Sequence, residues 1–562
     1  MEGPKAPRDP KAKGSSFYIC RRKEVVGNPT PDGRGVQFIY LDALRLITFA
    51  KMVGNVTDER MLKNLETAEG FLDMVAGIGV TIEADEREQE ITYAFQMYGK
   101  SENGGVGDTI RVSCIPDGME KIIWLDDYSW SENNEKVGQM RFEFDKPERL
   151  ATVDVKLYLR EGYTAPEQEE HAEINLEGEP YQAILERSIM SMGNYGRVKK
   201  VLEKTKRGEE VTIAFIGGSI TQGAGATPIH HKAYAYQTWE QFRKLFGENV
   251  RLIKAGVGGT PSELGMIRFE RDVLREGKVS PDLIVIEFAV NDLGDETNGI
   301  CYESLVRKCL ALSEETAVML LFAVFANDDN LEERLVPVGE RYELPMVSIR
   351  QAVVPQFYLK PNEGRVLSKS QFFYDIYHPA NIGHMIMADC LMYMLKKIDE
   401  APMTGEVDWR EKTPVYGTDF QEVRLMDKAW NTELAEEVVA GSFCETDEEL
   451  QFVEMDDVLA PVPEFPNNWQ HVSGTEPFSM KLKCRALLLV SKDSGNGNVG
   501  KAVVLVDGKE VLIADPHVAG WTHCNPQILI NEKQSDNHRI EIRMFPGDEE
   551  KKFTILGFGI VE

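Results

Sequence analysis

Apolar runs and amphipathic stretches alternate through the middle of the chain. VTIAFIG (211–217), VRLIKAG (250–256), LIVIEFAV (283–290), AVMLLFAVFA (317–326) and MVSI (346–349) read as strands. Between them, YAYQTWEQFRKLF (234–246), SELGMIRFERDVLRE (262–276) and CYESLVRKCLALS (301–313) carry apolar residues at helical spacing. Strands with no polar face need cover on both sides. The alternation therefore predicts an α/β domain over 205–402, a doubly wound sheet of five parallel strands.

The flanks follow a different period. Before this domain, ITYAFQMY (91–98), KIIWLD (121–126), MRFEF (140–144) and ATVDVKLYL (151–159) alternate as strands do, while DERMLKNLETAEGFLDMV (58–75) has helical spacing. A β-rich accessory domain is expected over 31–200, preceded by a flexible tail, 1–30, that starts MEGPKAPRDPKAKG. A linker with Pro and Gly (401–418) leads to a last block, 419–562. There ALLLVSK (486–492), AVVLVDGKEVLIA (502–514), HRIEIRMF (538–545) and FTILGFGIV (553–561) predict a jelly-roll-like β-sandwich with a DG turn.

Composition narrows the partners. The 562 residues are 42% hydrophobic and 28% charged, which suits folded cores. A formal net charge of −29 disfavours nucleic acid and anionic membrane. The longest apolar run is too short to span a bilayer, and the N-terminus lacks the apolar core of a signal peptide. A cytoplasmic protein is expected, or an extracellular one if a signal has been trimmed away; a homo-oligomer is compatible with either. The eight cysteines contain no CxxC pair and read as buried free thiols.

The candidate chemistry starts at FIGGSITQGAGAT (215–227), where a strand enters small residues around one hydroxyl. A phosphate loop would need GxxxxGK[ST], but Gly218 and Gly223 are followed by Ala224. A dinucleotide GxGxxG is absent as well. Ligands of a doubly wound sheet bind beyond the carboxyl ends of its strands. Ser219 follows the first strand, Gly258 and Gly259 follow the second, Asn291 ends the third, and Asp375 and His378 (YDIYHPANIGH) come after the fifth. Acyl transfer uses these residue types. Ser219 is a nucleophile once His378 takes its proton, and Asp375 orients the imidazole. The N–H groups of Ser219 and Gly259 (with Gly258 the alternative donor) and the Asn291 amide would form the oxyanion hole. An α/β-hydrolase elbow, GxSxG, is excluded by Thr221. Asp292 and His384 read as structural, His230 and His231 as a solvated or substrate-facing loop, and Trp521 and His523 as sandwich packing, with stacking on sugar the alternative.

This set resembles the SGNH (GDSL-type) hydrolase superfamily: Ser219, Gly259, Asn291 and the pair Asp375/His378 stand at its four blocks. Two positions depart from it, Gly218 where the family has Asp and Ala289 where it has Gly. The resemblance implies a flavodoxin-like catalytic domain that needs no metal or organic cofactor. Forms with GGSIT and flanking β domains resemble bacterial carbohydrate acetylesterases, which implies an acetylated oligosaccharide substrate such as a xylan or mannan fragment. A lipid esterase or thioesterase on the same machinery, and a non-catalytic carbohydrate-binding protein, are the alternatives.

Overall fold

The computed structural model describes residues 14–85, 90–100, 105–168, 172–405, 407–458 and 460–562. The chain divides into two compact units. The first comprises Met1–Asn175, Gly225–Pro228 and Lys360–Gly383; the second comprises Leu176–Ala224, Ile229–Leu359 and His384–Glu562.

The strands of the first unit are β1 (Ser16–Val26), β2 (Asn28–Pro29), β3 (Gly35–Tyr40), β4 (Val75–Glu83), β5 (Ile91–Gly99), β6 (Val106–Cys114), β7 (Lys121–Trp124), β8 (Asn134–Phe144) and β9 (Leu150–Leu159). They pair antiparallel in two sheets, ordered β1-β9-β4-β7 and β2-β3-β8-β5-β6. Phe17, Ile78 and Leu157 from one sheet share a core with Ile39, Tyr93, Phe95 and Phe142 from the other. Part of the expected tail is thus ordered. Ser16–Val26 is a strand because Phe17, Ile19, Cys20, Val25 and Val26 are buried, whereas residues 1–13 lie outside the described residues. The helical stretch 58–75 is two helices, Glu59–Asn64 and Ala68–Met74, because Asp58 and Thr67 each cap a new N-terminus.

In the second unit β10 (Ile189–Ser191), β11 (Val211–Gly217), β12 (Val250–Gly256), β13 (Leu283–Glu287), β14 (Ala317–Phe322) and β15 (Met346–Ser348) form one sheet. Its order is β10-β15-β14-β13-β11-β12. The last five strands are parallel, and in sequence rank they run 2-1-3-4-5 from the β12 edge, the flavodoxin-like order. The sixth strand, β10, pairs antiparallel with β15 and extends the expected five. Ala214, Ile216, Ile284 and Ile286 pack on the helices Ser262–Asp272 and Ile300–Leu310, while Phe215 meets Tyr234 of the helix Tyr234–Phe246 edge-on at 5.7 Å. Alternate side chains of one strand therefore bury on opposite faces, as double winding requires.

The C-terminal strands are β16 (Arg424–Met426), β17 (Glu437–Val439), β18 (Phe452–Val453), β19 (Val462–Pro463), β20 (Trp469–His471), β21 (Phe478–Asp493), β22 (Ala502–Val506), β23 (Lys509–Ala514), β24 (His523–Met544) and β25 (Phe553–Val561). All but β18 and β19 are hydrogen-bonded into one antiparallel sheet instead of the two separate sheets of the expected sandwich, and register shifts along β21 and β24 bend it. Asp507 and Gly508 turn the β22–β23 hairpin at positive φ, as the DG signal predicts. Leu425, Leu488, Val490 and Leu556 join the core that holds Leu264 and Ile267. Seven of the eight cysteines are buried, and Cys444 is exposed.

One buried side chain ties these layers together. Arg268, fully excluded from solvent, donates from Nη2 to Gly217 O at 2.9 Å. Its Nη1 donates to Ala255 O at 2.9 Å and to Asp272 Oδ2 at 3.0 Å. Asp272 is shared with Arg271, which also reaches Glu464 of the C-terminal block. Arg268→Met should destabilise the protein by about 3–5 kcal/mol, because it strands buried partners. A urea titration measures this, and an unchanged midpoint would contradict it.

Candidate active site

The strand ends are aligned by register. Gly217 of β11 lies beside Gly256 of β12 and Glu287 of β13. Ser219 and Gly258 each lie two residues past a paired glycine. Asn291 does not end a strand as expected: β13 stops at Glu287, and the N–H groups of Asn291 and Asp292 both return to Phe288 O, at 3.0 and 3.1 Å. Apolar character carried the predicted strand through Phe288–Val290, but those residues form a buried turn.

Ser219 opens a single-turn helix, Ser219–Gln222. A Cβ on Gly218 would lie 2.2 Å from Asn291 Oδ1, so the Asn291 amide occupies the space that a side chain at 218 would need. Among the described residues, Asn291 Oδ1 is buried without a hydrogen-bond partner. Gly258 approaches Ser219, with its ideal Cβ 3.8 Å from the serine Cβ. The Gly258 N–H is taken by Gln222 Oε1 at 2.9 Å. Gly259 has φ +73°, a backbone state that glycine adopts without strain.

The C-terminal block reaches this turn. Gln451 Nε2 donates to Gly258 O at 2.8 Å, and Gln451 Oε1 accepts from Cys524 N. His523 Nε2 bonds Gly259 O at 3.0 Å while its Nδ1 faces Asp493 Oδ2 at 3.3 Å. Trp521 lies against Gly259, yet it is 46% exposed. Trp521 is therefore not the core packing expected of it, whereas His523 is buried and hydrogen-bonded. Gln222 and Gln451 carried no sequence signal, and the clustering in GWTHC was the one trace of this contribution.

Buried carboxyls support the rim from below. Asp292 accepts from Ser262 N at 2.7 Å and from Ser262 Oγ at 2.9 Å, so it is structural as expected. Burial pushes Asp292 up to about 7, with Ser262 opposing and Asp295 adding to the shift. Burial also pushes Glu287 to about 8, although a hydrogen bond from Thr221 at 3.2 Å opposes it. Thr221 Oγ1 and Tyr234 OH are 2.9 Å apart. The potential metal-ligating group found among the described residues is Glu263, Asp295 and Cys301. Burial and the neighbouring Asp295 push Glu263 to about 9, and burial raises the Cys301 thiol. Asp295 is filled by N–H groups of Thr297 and Gly299. Burial thus favours the protonated Glu263 carboxyl and Cys301 thiol.

Asp375 and His378 lie in the first unit. His378 Nδ1 is 3.0 Å from both Asp375 oxygens, and Asp375 Oδ1 also accepts from the N–H groups of Tyr377 and His378 at 2.8 Å. Burial alone would raise the Asp375 carboxyl. The His378 ring and these N–H donors overcome burial and hold it at about 2. The structure thus joins Asp375 to His378 within the first unit, and gathers Ser219, Gly259 and Asn291 on one rim in the second. His384 is structural, bonding Tyr234 N at 3.2 Å and Ala224 O at 3.0 Å. The rings of His230 and His231 are 4.1 Å apart, with His230 buried and His231 exposed.

Residues 215–385 match the GDSL-like Lipase/Acylhydrolase family, and this part of the chain is a GDSL-like (SGNH) acylhydrolase domain. No curated protein shows significant similarity to the chain. Among solved structures, a two-domain esterase (CEX) active on acetylated mannans is 25% identical, over 67% of this chain and 99% of that one, with a TM-score of 0.58. A second structure of a two-domain esterase (CEX) active on acetylated mannans, co-crystallized with mannopentaose, is 24% identical over 67% and 98%, with a TM-score of 0.56. A family two carbohydrate esterase from Clostridium thermocellum, in complex with cellohexaose, is 14% identical over 58% and 90%, with a TM-score of 0.25. The family match thus lies within the parallel-sheet part of the chain, and the chain as a whole is related, at 25% identity, to an esterase.

Glu287 makes stability depend on pH. It stays protonated in the fold up to about 8, against 4.5 without the protein environment. The folded state therefore holds the extra proton, and stability is lost as pH rises from 4.5 through 8. Glu287→Gln should shrink the drop in urea midpoint between these limits. An identical drop in both proteins would contradict the assignment.

Proposed function

We propose that the protein is a serine esterase that removes acetyl groups from carbohydrate through an acyl-enzyme. The observation that carries this reading is the Asp375–His378 pair, a carboxylate held ionised against Nδ1, in a chain related to an esterase active on acetylated mannans. With Nδ1 engaged, Nε2 is the base. His378 takes the Ser219 proton as Oγ attacks the ester carbonyl. Asp375 holds the tautomer and stabilises the imidazolium. His378 then protonates the departing sugar alkoxide and later activates water. Because Gln222 occupies the Gly258 N–H, the oxyanion donor of that turn is Gly259, acting with Ser219 N–H and the Asn291 amide. No step needs a metal or organic cofactor. The exposed Trp521 ring beside Gly259 supports a sugar on the alcohol side.

Ser219→Ala should lower turnover by about 10⁴-fold or more with thermal stability unchanged. Full activity in that variant would refute the mechanism. Acyl preference separates substrates. A long-chain pocket gains about 0.8 kcal/mol per buried methylene. 4-Nitrophenyl esters should instead be best at acetate, with acetate also released from acetylated mannan or xylan oligosaccharides. A rate maximum at octanoate or longer without acetate release would favour the lipid reading. Trp521→Ala should raise KM for the oligosaccharides and leave 4-nitrophenyl acetate unaffected; equal effects on both would remove Trp521 from sugar binding.

A further inference from the structure

The loop that carries Asp375 and His378 is a small closed structure. Tyr374 N donates to His378 O at 2.8 Å, Phe373 bridges Pro379, and Ala380 N donates to Phe372 O at 2.8 Å. Strand β1 of the N-terminal sheets holds its base. The β1–β9 register shifts between Cys20 and Lys23, where Arg22 adopts φ +47° and its N–H bonds Asp154. A bulge of this kind re-aims the side chains that follow it.

Both following residues contact the loop. Lys23 Nζ donates to Tyr374 O and lies 3.9 Å from the centre of the Tyr374 ring. Glu24 accepts from Asn381 Nδ2. Asn381 in turn bonds both backbone groups of Thr227 at 2.7 Å. Gln37 of β3 donates to Tyr374 OH at 3.1 Å. A lysine used only for packing would not place its ammonium on a carbonyl one residue from the carboxylate that grips His378.

We propose that Lys23 is a positioning residue of the esterase: it tethers the Asp375–His378 loop to β1 and sets its charge against protonation of the pair. The proposal rests on Asp375 and His378 being the orienting acid and the base. Burial lowers the Lys23 pKa, and the neighbouring Cys20 and Asp375 oppose that shift. Asp375, Cys20 and Tyr40 are the titratable groups acting on Tyr374, and Arg45 faces the Tyr377 ring at 5.6 Å. A cation beside Asp375 weakens the attraction of that carboxylate for a proton on His378. Its removal therefore makes the imidazole easier to protonate, and the acid limb of the rate profile moves to higher pH.

The test uses the full chain with 4-nitrophenyl acetate, and circular dichroism and thermal melts to verify folding. Lys23→Met removes both tether and charge; Lys23→Gln keeps a donor for Tyr374 O but removes the charge. We expect Lys23→Met to lower kcat roughly tenfold with KM little changed. Both variants should raise the acid limb of kcat/KM by about half a pH unit or more. His378→Ala runs alongside. If His378→Ala is inactive while folded Lys23→Met keeps wild-type kcat and acid limb, the role of Lys23 is overturned. A drop in kcat with an unmoved limb and a parallel rise in KM overturns it too. Should Lys23→Met fail to fold, an unmoved limb in Lys23→Gln has the same force. An active His378→Ala would instead refute the assignment of the base on which the proposal rests.

Discussion

A guanidinium cut off from water sits where two parallel strands end. Arg268 bonds the carbonyls of Gly217 and Ala255, and its partner Asp272 is shared with Arg271 and, through it, with Glu464. A parallel strand that stops before a loop leaves carbonyls with no sheet partner, and buried carbonyls must find donors. Arg268 adds a donor at the ends of β11 and β12, where Gly217 O also accepts from Val257 N at 3.1 Å. The turns that begin there carry Ser219 and Gly258. The geometry of the rim thus depends on a helix residue that does no chemistry itself.

The rest of the second unit builds outward from that constraint. The backbone of the Gly258–Gly259 turn is held from three places: Gln222 on the N–H of Gly258, Gln451 on its carbonyl, and His523 on the carbonyl of Gly259. Two of the three come from the C-terminal block. Beneath the rim, Glu287 and Asp292 are favoured in their protonated forms by burial. A neutral carboxyl there avoids placing negative charge below the proposed oxyanion position.

Much of this architecture is legible in the sequence. The parallel strands announce themselves because strands buried on both faces have no polar positions, and all five start at the residue expected. LIVIEFAV ran too long because burial is common to strand and turn alike. β10 escaped notice because three residues, Ile189–Ser191, carry no period. β1 was hidden behind the polar and proline-rich residues before it. The candidate site could be read from residue types at strand ends, and the Asp375–His378 contact follows from their spacing of three. Its supports could not be read. Gln451 and His523 are distant in sequence, and a lone glutamine in a β block looks like any surface glutamine. Arg268 gave only a faint signal, a charge on an apolar helical face with Asp272 one turn on.

The chain passes between its two compact units several times, with Lys360–Gly383 returning to the unit built from Met1–Asn175. This bears on how the protein is made. Synthesis runs from the N-terminus and domains commonly fold as they emerge. The sheets of the first unit are complete in sequence by Leu159, but its last segment, Lys360–Gly383, follows only after the five parallel strands of the second unit. Until then Lys23 and Gln37 lack Tyr374, and Glu24 lacks Asn381. A nascent chain stalled before residue 360 therefore presents a first unit without its last segment, and the loop of Asp375 and His378 is missing from it.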